Sequence, residues 1–166
     1  MEAEAVIDEP TRLAVVADRA ALVAELYRRE YAPMVRLAHL ITGSNEAAED
    51  LVQDPFVRLY WSWERVDEPG AYLRRIVVNR CNSWHRRRRM ERQRQPRPVA
   101  EGVDAESREL LDALAHLGVR QRTALVLRFF VDMSEADIAH ALGCRPGTVK
   151  SLVHRGLRQM EEVIER

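Results

Sequence analysis

Three sets of side chains in this 166-residue chain have types and spacings that suit recognition rather than reaction. In the first, Thr148, Lys150, Ser151, His154, Arg155 and Arg158 fall outside the apolar stripe predicted for a helix at Val149, Val153 and Leu157. Such a helix offers short hydroxyls to base edges and cations to phosphates, which is what a recognition helix needs. In the second, residues 74–97 hold ten arginines against one acid, Glu91, with Trp61, Trp63 and Trp84 nearby. Cations bind phosphates, and aromatic stacking on an unpaired base is worth about 1–3 kcal/mol, so this region suits single-stranded DNA. Read singly, the tryptophans are expected to be core anchors. The third set, Asp50, Gln53, Asp54 and Arg58, lies off the inward face Ala48, Leu51, Val52, Phe56 and Leu59. It is either a docking face or an ordinary solvated one.

Catalytic chemistry has no comparable support. There is no phosphate-binding loop, nucleophile signature or metal-ligand spacing, His39, His85, His116, His140 and His154 are scattered, and Cys81 and Cys144 stand alone. Neither enzyme activity, metal nor cofactor is expected. A formal net charge of zero conceals segregation: residues 74–97 carry a surplus of nine positive charges, which the rest of the chain must offset. One segment thus suits nucleic acid while acidic surface remains for another partner. No apolar run approaches the roughly 20 residues that span a bilayer, and the first residues are acidic, unlike a signal peptide. The expectation is a cytoplasmic protein without membrane insertion.

The elements that must hold these groups are all helical by periodicity. Residues 1–19 are expected to be a loose acidic tail. Leu22, Leu26, Met34, Leu37 and Ile41 mark a core face over about 20–42, as one helix or as two joined near Pro33. A helix over about 46–60 follows, with a kink expected at Pro55, because an interior proline forfeits a backbone hydrogen bond at about 3 kcal/mol or more. A loop from about Trp63 to Gly70 leads to a helix carrying Tyr72, Leu73, Ile76, Val77 and Cys81. Residues 91–106 lose the apolar pattern and read as a linker. Beyond it, Leu110, Leu111, Leu114 and Leu117 define one helix and Thr123–Phe130 a second, both beneath a helix-turn-helix. There Ser134 is the expected N-cap, Gly143 the left-handed turn and Pro146 the first helical residue. The chain therefore reads as two small all-α domains, 20–90 and 107–166. A plain helical hairpin with a solvated face is the blander alternative for the last part.

With these pieces in view the chain resembles the extracytoplasmic-function sigma factors of bacterial RNA polymerase. The resemblance rests on Asp50-Leu51-Val52-Gln53-Asp54 with Phe56, on Tyr72-Leu73-Arg74-Arg75-Ile76 with Asn79, and on Arg120–Thr123 through Ser134 to Ser151. It implies that Asp50, Gln53 and Asp54 dock on core RNA polymerase. It implies that Trp63, Arg74, Arg75, Asn79 and Arg80 serve the promoter's minus-10 element. Thr148, Lys150, Ser151, His154, Arg155 and Arg158 would then read the minus-35 element, and an anti-sigma factor is a further implied partner. Pro55, Leu152 and Gly118-Val119 depart from the usual family pattern. The competing reading is a stand-alone helix-turn-helix regulator or response-regulator output protein, which would bind promoter DNA without polymerase.

Overall fold

The computed structural model describes residues 9–91 and 105–164, with side chains described for 16–89 and 109–164. Among them the architecture is all-α, without strands. The first group comprises α1 (Glu9–Thr42), α2 (Asn45–Ser62), a 3-10 turn (Trp63–Arg65) and α3 (Pro69–Glu91). Leu26, Met34, Leu37 and Ile41 recur every three to four residues on α1 and are buried against Val52, Phe56 and Leu59 of α2 and Leu73, Val77 and Cys81 of α3. Burial of each such side chain contributes roughly 1.5–3 kcal/mol. Tyr27 stacks on Tyr31 at 4.7 Å and meets Phe56 edge-on at 4.9 Å, closing one end of this core.

Several expectations are corrected here. The helix begins at Glu9, well inside the stretch read as a tail. Arg12, Leu13, Ala14 and Ala17 are good helix formers, and Pro10 sits in the first turn, where a missing N–H costs nothing. The remainder of that stretch, residues 1–8, lies outside the described residues. α1 is a single helix through Pro33, and Leu22 on it is 52% exposed rather than core. α2 runs on past Pro55, whose ring is buried, so the expected proline position does not end the helix. The loop expected from Trp63 is mostly helical: the 3-10 turn takes its start, and Pro69 and Gly70 already belong to α3.

The second group contains α4 (Ala105–His116), α5 (Val119–Leu125) running into a π-helical turn (Val126–Phe130), α6 (Glu135–Leu142) and α7 (Pro146–Ile164). α4 and α5 do pack against α7. Ala113, not Leu110, faces inward from α4. On α7 the buried residues are Val149, Leu152 and Gly156, whereas Leu157 is 39% exposed. The predicted stripe was thus rotated by part of a turn. This resolves the unusual Leu152, which is core and not a base-reading position. The expected linker, 91–106, falls largely on 92–104, outside the described residues.

Candidate nucleic-acid interface

The helix-turn-helix is fixed by local chemistry at each end. Ser134 Oγ accepts from the Asp137 amide at 3.1 Å and the Asp137 carboxylate accepts from the Ser134 hydroxyl, which together cap the start of α6. Gly143 takes φ 59°, where a β-carbon would be strained, and reverses the chain into Pro146. From α5, Arg120 Nη2 donates to the Leu142 carbonyl at 3.2 Å, meeting the negative end of α6. α7 lies close to α5 because Gly156 has no side chain: a β-carbon there would fall 2.8 Å from Leu125 Cδ1.

This leaves Thr148, Lys150, Ser151, His154, Arg155 and Arg158 exposed along α7, as the sequence predicts. Ser151 Oγ donates to the Gly147 carbonyl and Arg155 Nε to the Ser151 carbonyl, so both are held along the helix until a ligand competes. Lys150 Nζ is 3.9 Å from a Glu135 oxygen, a loose pair between groups 71% and 40% exposed.

The α3 set is less uniform. Arg75 and Asn79 are exposed, Trp63 and Arg74 half-buried. Arg75 lies over the Tyr72 ring at 5.7 Å. Arg80 Nη1 is 2.7 Å from Asp54 Oδ2, and Arg80 Nε is buried without a hydrogen-bond partner among the described residues. Arg80 and Asp54, assigned to different ligands by the resemblance, therefore hold each other across α2 and α3. Asp50, Gln53 and Asp54 are all exposed. The stripe they begin continues through Val57, 57% exposed, and Trp61, 69% exposed, at helical spacing. Trp61 is thus no core anchor, and the two apolar members of this face were missed by reading the sequence for charge alone.

A second missed patch is Phe129 and Phe130, 64% and 48% exposed. Their apolar character reads as core, but the π-helical turn shifts the register there: Val131 N bonds to Val126 O and Met133 N to Leu127 O. Asp132, at φ 55°, then turns the chain away. No periodicity in the sequence signals such a shift.

Comparison with known proteins matches residues 26–91 to sigma-70 region 2 and residues 107–160 to sigma-70 region 4. An RNA polymerase sigma-E factor of Streptomyces coelicolor is 34% identical over 152 residues, 86% of each chain. The ECF RNA polymerase sigma factor SigE of Mycolicibacterium smegmatis is also 34% identical, over 96% of this chain and 70% of its own. The chain belongs to the extracytoplasmic-function sigma factors. Region 2 covers α1 from Leu26 through α3, and region 4 covers most of α4 through α7. Among solved structures, the sigma factor RpoE of Bartonella quintana, crystallised with the anti-sigma factor NepR, shares the fold at TM-score 0.71 and 24% identity over 86% of this chain and 96% of that one. CnrH, solved with the cytosolic domain of CnrY, does so at 0.65 and 22%, over 92% and 96%. No described helix is long and apolar enough to cross a membrane.

Proposed function

We propose that this sigma factor binds core RNA polymerase through α2, opens and holds the minus-10 element with α3, and reads the minus-35 element with α7. It performs no catalysis: polymerase makes the phosphodiester bond, and the sigma factor supplies address and strand separation in the cytoplasm. Residues 20–90 act as one domain and 107–166 as the other, with 91–106 as the connection and 1–19 as an extension. Asp50, Gln53 and Asp54 contact polymerase, and the adjoining Val57 and Trp61 add apolar area at the centre of that face. Trp63, Arg74, Arg75, Asn79 and Arg80 serve the minus-10 strand. Thr148, Lys150, Ser151, His154, Arg155 and Arg158 serve the minus-35 duplex, and an anti-sigma protein is the natural antagonist.

The observation carrying this reading is that α2 and α7 each present an exposed face of different chemistry, acidic-apolar on one and polar-basic on the other. A stand-alone regulator needs only the second. The test is run-off transcription from a promoter library with purified core polymerase, with and without this protein. Protein-dependent transcripts are expected. A duplex shift by the protein alone, with no transcript in any reaction, rejects the assignment.

A further inference from the structure

The arginine run at the end of α3 is only partly used by the roles assigned above. Arg86, Arg88 and Arg89, from the last turns of that helix, and Arg120, from the start of α5, line one cavity of about 530 Å3. Val119 and Leu142 give it an apolar side, and Asn82 and His85 add polar groups. No carboxylate lines it. Nor does any of the four guanidinium groups pair with a carboxylate among the described residues.

Their present contacts leave the charge uncompensated. Arg86 donates to the Ser83 hydroxyl at 2.9 Å, Arg120 to the Leu142 carbonyl at 3.2 Å, and Arg88 lies 4.9 Å from the centre of the Trp84 ring. A guanidinium carries several N–H donors in a planar fork, so each keeps most of its hydrogen-bonding capacity for a ligand. Cations gathered in a cleft without counter-charge raise a positive potential that concentrates anions. The neighbouring cleft of about 600 Å3 is the contrast: there Arg65, Arg74 and Arg75 are accompanied by Asp67, Glu68 and Asp137. A DNA strand presents one charge per nucleotide, spread along an open groove. Four guanidinium groups drawn from two helices onto one cavity instead match several charges on adjoining phosphorus atoms, which arginine binds in bidentate fashion. The volume lies within the roughly 300–1,000 Å3 usual for small-molecule sites.

We propose that this cavity binds a nucleoside polyphosphate, with Arg86, Arg89 and Arg120 on the phosphates and the base against Val119 and Leu142. Arg88, stacked on Trp84, supplies the fourth cation. The site uses neither the docking face of α2 nor the recognition face of α7, so it does not rest on the roles given to them.

The test is isothermal titration calorimetry of the full chain with ATP, AMP and inorganic tripolyphosphate at about 0.15 M salt, where exposed charges more than about 8 Å apart are screened. ATP should bind at one site per chain, at least tenfold tighter than AMP and several-fold tighter than tripolyphosphate, which lacks the base. Arg86→Gln with Arg89→Gln, both exposed and outside the core, should lower ATP affinity at least tenfold. Arg87→Gln, between them in sequence but not lining the cavity, should change it less than twofold. No saturable ATP binding, or equal losses in the Arg87→Gln and double variants, overturns the proposal. Tripolyphosphate binding as tightly as ATP overturns the nucleoside assignment. A single-stranded DNA of about twelve bases is the competing ligand: if the double variant weakens it as much as ATP, the arginines serve a DNA backbone and the proposal fails.

Discussion

At Asp54 one carboxylate is assigned to polymerase yet already pairs with Arg80 at 2.7 Å. Asp54 is 62% exposed, so the pair is screened and is worth at most about 1 kcal/mol, little enough for a docking partner to displace. Asp50 and Gln53 are freer to discriminate, since both point to solvent and neither packs in the core. Asp50→Ala with Gln53→Ala should therefore abolish co-purification with core polymerase while changing stability by less than about 0.5 kcal/mol. Unchanged co-purification would remove α2 as the docking face. His39 makes a different kind of residue-scale statement. Desolvation holds its imidazole below the ordinary value of 6.5, against a smaller raising effect of the Ser44 backbone. The unfolded chain consequently binds the proton more readily than the folded one, and the sign of the linkage follows. The stability involved is fully present above about pH 6.5 and is lost as pH falls toward the depressed folded value. Urea midpoints should drop between pH 7.5 and 5.5, and His39→Gln should flatten that drop. An equal drop in the variant would assign the effect to other groups.

Elements pack here at distances set by single small residues, and Gly156 is the sharpest case. Ala would gain about 1 kcal/mol of helix propensity in α7. It would also place a methyl 2.8 Å from Cδ1 and 3.2 Å from Cγ of Leu125, which is itself 3% exposed. Overpacking of this kind costs about 1–3 kcal/mol, so the clash outweighs the propensity gain. Gly156→Ala should lower the denaturant midpoint and, by lifting α7 from α5, weaken duplex binding. A more stable variant would show that α7 can slide freely over α5. The same element shows what a sequence can and cannot display. Ser134, Gly143 and Pro146 were legible because caps and turns are solved within a few residues of chain. The inward face of α7 was legible only to part of a turn, since Leu152 and Val153 both continue an apolar pattern from Val149 and only the position of α5 selects between them. The start of α1 was read as a tail for a related reason: a proline costs little in a first turn, where Pro10 sits, and the sequence does not state where the helix starts. Phe129 and Phe130 needed the π-helical register shift, which has no periodic signature at all.

For the whole molecule, the segregation of charge and the division into two matched regions carry the argument. The arginines of α3 and the polar face of α7 belong to groups of helices that share one apolar cluster in this structure. On the proposed function they address sites roughly 85 Å apart on B-DNA. Covalent geometry then makes the connection length a functional quantity. The thirteen residues 92–104 reach at most about 45 Å, and α3 and α7, at 23 and 19 residues, extend about 35 and 28 Å. Those lengths, laid end to end, exceed the required span by only a modest margin. Deleting five residues from 92–104 removes about 17 Å of reach, which is comparable to that margin once the helices cross the DNA obliquely. Such a variant should keep its affinity for core polymerase, because α2 is untouched. It should also keep a duplex shift at the minus-35 element, because α7 is untouched, yet lose tenfold or more in transcription from promoters that require both elements. Shortening the promoter spacer by five base pairs, about 17 Å, should not restore activity, because it also rotates one element by about half a turn around the DNA. Reinserting five residues of unrelated polar sequence should restore it. If the shortened chain transcribes normally, the two regions do not read both elements at once, and simultaneous recognition by this sigma factor is wrong.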